Sequence, residues 1–340
     1  ERGEGQGMLH AKVAQTVHEV RPDVIVWHDP ALRQPYVRGR LAGLDQIRHW
    51  NYAWPNVPRF PLITDELRLA AAEGQETVFM FQLIWFSDIP VPRSGPHWPH
   101  LKIGGKLYLG AHSPAVVREG TWLALARGVS GMAYHALATV DRLAMRRNDP
   151  RGDVEGIGYR GYTYSNPDSL LAVKQMSERV IQPYGMVIKR LTPAKGEVVM
   201  LLSTANSVLT GRDAEDLVMD EAGHMYAKLQ AAHVPVDAAF EVDIEEKGLH
   251  GYKAIALPSC RVLPHHIYEI IRAFEDQGGL VIADQYLVPK FSNVLTLPRK
   301  AAQRRGEAAL EAEHIDQARV VHTALDGRVN RWADCDSPTV

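Results

Sequence analysis

"SPAVVREGTWLALARGVSGMAYHAL", residues 113–137, passes from a helix into a strand with little between them. Ser113 is placed to cap the helix, Pro114 suits its first position, where the backbone N–H has no partner anyway, and Gly128 marks its end. "VSGMAYHAL" then carries the short apolar and aromatic run of a buried strand. One helix–strand unit is therefore legible here, and the question is whether it repeats.

It does. "MLHAKVAQTVHEV", 8–20, has a helical apolar rhythm, and "RPDVIVWHDP" follows, with Val24, Ile25, Val26 and Trp27 forming a strand between two prolines. "LDQIRHWNYAW", 44–54, is a second strand candidate. "LITDELRLAAAEG", 62–74, reads as a helix capped by Thr64 ahead of Asp65 and Glu66 and stopped by Gly74. "ETVFMFQLIWF", 76–86, is a buried strand whose one interior polar residue is Gln82. A long loop rich in Pro, Gly and His is expected over about 87–112.

Strands alternating with helices predict an α/β protein with a parallel sheet. Two architectures stay open: a doubly wound open sheet, or part of a (β/α)8 barrel. A nucleotide-binding open sheet usually has a glycine-rich turn after its first strand. Here the strand ends carry "WHDP", "HWNYAW", "QLIWF" and "YHAL", which fit a barrel mouth that takes a polar, ring-shaped ligand.

Residues 141–165 read as an irregular charged crossing, and "NPDSLLAVKQMSERVIQPYGMVIKRL", 166–191, as a long helix begun by Pro167 and broken or kinked at Pro183. From 195 a second unit begins. "GEVVMLLST", "VPVDAAFE", "YKAIALPS" and "GGLVIADQ" are short strands, with helices near 213–232 and 264–277, in a flavodoxin-like pattern. The charged stretch 299–318 suggests a surface helix or a mobile loop. The expected boundaries are 1–165, a linking helix 166–194, a second domain 195–298, and a segment 299–340 leading toward a further domain.

The 340 residues suffice for about two domains. A net charge of -2 without a long basic stripe argues against nucleic acid, and no apolar run is long enough to span a membrane. Cys260 and Cys335 are too few for a disulfide framework or a four-cysteine zinc site. Residues 1–20 do not read as a signal peptide. The start lacks an initiator methionine and "RWADCDSPTV" resembles the beginning of a strand, as expected of a piece of a longer protein.

"REGTWLALARGVSGMAYHAL" resembles the last helix and eighth strand of the barrel in glycoside hydrolase family 42, the β-galactosidase-like family. "VVMLLST", "YAKLQAAHVPVDAAFEVD", "YKAIALPSCRVLP" and "FEDQGGLVIAD" resemble that family's trimerisation domain, which has a flavodoxin or amidotransferase-like fold and no chemistry of its own. The resemblance implies barrel strands five to eight at about 23–28, 45–52, 77–85 and 130–136. It also implies a carbohydrate ligand, no cofactor, no metal, and a trimer. Retaining glycosidases use two carboxyl groups about 5–5.5 Å apart. The resemblance puts the acid/base outside this sequence and the nucleophile, a Glu, at the end of the seventh strand. Gln82 stands there instead. An amide cannot attack an anomeric carbon, but it donates and accepts hydrogen bonds. The chain is thus expected to act on or bind a β-linked sugar such as a galactoside; the alternative is a non-catalytic, carbohydrate-binding or scaffold relative.

Asp29, at a strand end, is a candidate base or sugar ligand, although "HDP" is also a turn signal. Trp50, Asn51, Tyr52 and Trp85 are candidate sugar contacts, since aromatic faces stack on pyranose rings and an amide binds hydroxyls. His135, in "MAYHAL", is a further candidate, set against the commoner role of a hydrogen-bonded core histidine. His97, His100 and His112 match no metal-ligand spacing. Asp65 and Glu66 read as first-turn helix charges. Cys260 lacks the glycine-flanked elbow of an amidotransferase nucleophile and reads as a small structural residue.

Overall fold

The computed structural model describes residues 2–30, 39, 41, 43–51, 59–87, 100–103, 107–111, 114–135, 167–210, 212–298 and 307–333. In chain order the first half comprises α1 (Arg2–Val20), β1 (Trp27–His28), β2 (Gln46–Asn51), α2 (Arg59–Ala70), β3 (Glu76–Gln82), β4 (Ile84–Ser87), β5 (His100–Ile103), β6 (Leu107–Ala111), α3 (Pro114–Ala126) and β7 (Gly131–His135). A parallel sheet is formed in the order β1-β2-β3-β7, so sequential parallel strands are neighbours.

Alternation along β3 explains its place. Phe79 and Phe81 pack into the helix layer with Phe60 of α2 and Val117 and Leu125 of α3. Phe60 and Phe81 meet edge to face with centroids 5.1 Å apart. Gly120 makes this possible, because a Cβ there would lie 2.3 Å from the Phe81 ring. Val78, Met80 and Gln82 therefore face the other side of the sheet.

Several local expectations need correction. Thr64 does not cap α2. The helix starts at Arg59, and the Thr64 hydroxyl donates to the Phe60 carbonyl from inside it. Asp65 and Glu66 are thus buried mid-helix residues, not first-turn charges. The first strand is reduced to Trp27–His28, and Val24 and Ile25 are exposed. The Asp45 carboxylate takes the Val26 N–H, replacing a ladder bond. The third strand ends at Gln82: the Leu83 N–H makes the last bond to β7, at the His135 carbonyl, and the chain then turns into β4. The segment expected as a loop holds β5 and β6, which with β4 form an antiparallel sheet in the order β4-β6-β5.

The linking segment runs as α4 (Pro167–Met176), a π turn at Ser177–Ile181, and α5 (Gln182–Ile188). Pro183 does not break it. The wider π turn just before the proline loosens the ladder where the ring would meet a carbonyl.

The second unit comprises β8 (Val198–Leu201), α6 (Thr204–Leu209), α7 (Arg212–Ala231), β9 (Val236–Ala239), α8 (Glu241–Lys247), β10 (Ala254–Leu257), α9 (His265–Asp276), β11 (Leu280–Ala283), β12 (Val294–Thr296) and α10 (Glu307–Leu325). Its parallel sheet has the order β12-β11-β10-β8-β9, which reverses direction at β8. Val198 and Met200 face α7, while Val199 and Leu201 face α8 and α9. Both faces are covered, so these strands read as unbroken apolar runs. The charged C-terminal stretch contributes more than a surface helix: Ala318, Val321 and Leu325 of α10 lie in the core beside α7.

The two units share a core. Leu62 of α2 is buried among the side chains of α7 and the second sheet. Beside it, Arg127 donates to both carboxylate oxygens of Asp65 and to the Val236 carbonyl at 2.8 Å. The Tyr226 hydroxyl donates to Asp65 at 3.0 Å. All three side chains are buried. Burial opposes the Arg127 charge, yet Tyr226 and Asp65 hold its pKa above the ordinary value.

Candidate functional site

The candidate site lies at the C-terminal edge of the first sheet. β3 and β7 pair so that Gln82 is the Cα partner of His135. Tyr134 turns into the helix layer, where its hydroxyl meets the Thr121 hydroxyl of α3 at 2.9 Å. His135 therefore falls on the opposite face, the same as Gln82. Gln82 is 2% exposed, and among the described residues neither its Nε2 nor its Oε1 has a hydrogen-bond partner. An orphaned buried amide costs about 1–3 kcal/mol, so an interior residue of this kind calls for a partner. Burial lowers the His135 pKa, keeping the imidazole neutral at pH 7. The pair thus offers an uncharged donor–acceptor amide beside a neutral imidazole, suited to hydroxyl groups rather than to a cation.

Asp29 lies elsewhere. Its Oδ1 is 3.0 Å from His49 Nδ1, a partner that the sequence did not suggest. The strand register aligns His28 with Ile47 and Ile47 with Thr77, so Asp29 follows level with Val78, four residues short of Gln82. With β2 between them, the separation is about 13 Å along the strands and about 10 Å across them. The structure does not bring these two candidates together.

Trp50 and Asn51 end β2, in register with Met80 and Phe81. Tyr52 lies outside the described residues, as do His97 and His112. Trp85 is not on the strand that carries Gln82 but in β4, opposite Gly110 of β6. Lower on the first sheet runs a polar chain: Arg48 stacks over Trp27 at 4.3 Å and donates to Gln46, and Gln46 donates to Glu76 at 2.7 Å. Lys189, beyond α5, donates to the other Glu76 oxygen. Among the described residues no cluster of His, Cys, Asp and Glu could hold a metal ion.

The second sheet offers the usual place for a ligand, the crevice beyond the C-terminal ends of β8 and β10 where strand order reverses. The protein fills it. Fully buried Asn206 donates to the Ser259 carbonyl at 2.9 Å and accepts the N–H groups of Arg261 and Val262 at 3.0 and 3.1 Å. Glu241 accepts from the Ser203 hydroxyl and from the N–H groups of Thr204 and Ala205. Cys260 is buried, and its thiol is pushed up to about 12 by burial and by the Asp284 and Glu241 carboxylates, so it stays protonated. The reading of Cys260 as a small structural residue fits this setting.

Solved structures with a similar arrangement of chain include two β-galactosidases. One is a polyextremophilic enzyme from the Antarctic haloarchaeon Halorubrum lacusprofundi, with TM-score 0.51 and 16% identity, covering 82% of this chain and 40% of that one. The other is from Bacillus circulans sp. alkalophilus, with TM-score 0.50 and 14% identity, covering 82% and 38%. A catalytic mutant of Gan42B, a GH42 β-galactosidase from G. stearothermophilus, matches at TM-score 0.44 and 14% identity, covering 79% and 38%. The fold is that of part of a β-galactosidase. This chain spans about two fifths of the length of those structures. No family model matches the sequence, and no curated protein does.

Proposed function

We propose that this chain is the carbohydrate-handling segment of a glycoside hydrolase-like protein that binds a β-linked sugar such as a galactoside. On this reading, β1, β2, β3 and β7 are strands five to eight of a (β/α)8 barrel. The strict neighbour order of those strands supports this, since a doubly wound sheet reverses, as the second sheet does. The second unit is a trimerisation-type domain, and the filled crevice at Asn206 agrees with a domain that has no chemistry of its own.

One observation carries the proposal: a buried amide with both polar atoms unmet, beside a neutral histidine, at the C-terminal edge of a parallel sheet. Gln82 cannot serve as nucleophile, so β3 supplies recognition rather than bond cleavage. A second reading, active hydrolysis, needs carboxylates contributed from elsewhere in the protein.

Calorimetry of the full-length protein with a panel of β-galactosides is the test. Binding is expected, and Gln82→Met should abolish it. Failure of every sugar to bind would sink the proposal. Gain of aryl-galactoside hydrolysis in Gln82→Glu would favour a hydrolase site disarmed at one position.

A further inference from the structure

A cleft of about 610 Å³ opens at the opposite, N-terminal end of the second sheet. It lies where the turn before β10, the end of α9 and the turn after α10 meet, and nothing in the first sheet contributes to it. His250, Lys253 and Arg328 line it, and no acidic side chain among the described residues does. All three side chains are exposed, and among the described residues none makes an ion pair or a side-chain hydrogen bond. Lys195 adds a fourth basic group at the rim, 5.1 Å above the Tyr252 ring.

Three carboxylates around this end are engaged. Glu197, next to Lys253 across the sheet, gives its oxygens to the N–H and side-chain amide of Asn330. Asp237 takes the Tyr252 hydroxyl and the Gly196 N–H. Glu275, behind the cleft, holds Arg272 and the N–H groups of Ser292 and Asn293. Exposed Glu246, Asp276 and Asp326 flank the cleft in sequence but do not line it, so the charges in its described lining are basic.

The cleft also has ring-shaped walls. Phe274 packs flat against Gly279, where a Cβ would lie 2.3 Å from the ring, and Tyr252 stands near it in the lining. A cavity of a few hundred Å³ with aromatic walls and a few convergent polar groups is the size of a small-molecule site. Cations favour an anion, and aromatic walls favour a ring.

We propose that this cleft binds a small ring-bearing anion, a sugar sulfate or a sugar phosphate, with Lys253 and Arg328 on the anionic group and Phe274 against the ring. The site is separate from Gln82 and does not depend on the reading given to it.

The test is titration calorimetry of the chain with galactose 6-sulfate, galactose 6-phosphate, galactose and inorganic sulfate. Either sugar anion is expected to bind more tightly than inorganic sulfate and than galactose, and more weakly as salt rises. The sulfate and phosphate arms identify the anion. Lys253→Gln with Arg328→Gln should weaken binding by about tenfold or more, because both groups are charge-assisted donors. Both positions are exposed, so the double variant is expected to fold, and its unfolding curve checks that. Gln82→Met should leave this binding unchanged. Equal binding of inorganic sulfate, equal binding of galactose, no binding, or an unaffected double variant would each overturn the proposal.

Discussion

Two buried amides stand at the C-terminal edges of two parallel sheets, and they are treated oppositely. Asn206 makes three hydrogen bonds and ties the loop after β10 to α6. Gln82 makes none. The same functional group is a structural clip in one sheet and an unmet demand in the other. Satisfaction, not residue type, separates a filled crevice from a site that expects a ligand.

The comparison can be broken at several points. The largest effect is expected where the two units join. Arg127→Met removes the buried two-point partner of the Asp65 carboxylate, leaving it half-exposed Arg68 at 3.7 Å and the Tyr226 hydroxyl, and should destabilise the chain by about 3 kcal/mol. Urea unfolding measures this, and a second change, Asp65→Leu, should recover much of the loss. Recovery would show that the stranded charge, not lost packing, causes the damage.

Next comes Asn206→Ala, which orphans the Ser259 carbonyl and two N–H groups. A loss of about 2–4 kcal/mol is expected in the same assay. A loss under about 1 kcal/mol would mean that water enters the crevice freely, and Asn206 would not be the plug described above.

Gln82→Met should behave in the opposite sense. It removes two unmet polar atoms at similar volume, so stability should be unchanged or higher by about 1 kcal/mol. A strongly destabilised variant would show that the amide is structurally satisfied, and the contrast with Asn206 would disappear.

The smallest effect concerns pH. Burial lowers the His135 pKa, so the unfolded chain binds this proton more readily than the folded one. Its contribution to stability is therefore full above about pH 6.5, falls as pH drops below that, and levels off below the folded pKa. His28 behaves alike, with burial and nearby His10 as causes. NMR titration should place the His135 midpoint below the ordinary imidazole value; a midpoint at or above it would mean that the imidazole is solvated.

Much of the fold was legible because local rules dominated it. The helix begun at Pro114 and the strand ending at His135 follow from capping and apolar run length. The second sheet's strands, buried on both faces, could hardly read otherwise. Misreadings arose where a distant group decided. Thr64 looked like a cap because the adjacent Asp65 and Glu66 looked solvated, whereas Asp65 is held by Arg127 and by Tyr226, 161 positions away. Strands β5 and β6 hid in a segment whose composition signals only a loop.

The candidate site divides in the same way. Gln82 was conspicuous as the one amide in an apolar strand, and that oddity is a property of sequence. His135 was visible only as a weak candidate, and His49 was missed. By itself the sequence determined the alternation of helices and strands and the polar exception in β3, since spacing and side-chain chemistry are local. Tertiary structure alone decided that Gln82 lies beside His135, far from Asp29, and that Asn206 is satisfied while Gln82 is not. Register and hydrogen-bond closure join residues tens of positions apart, so no local pattern encodes them.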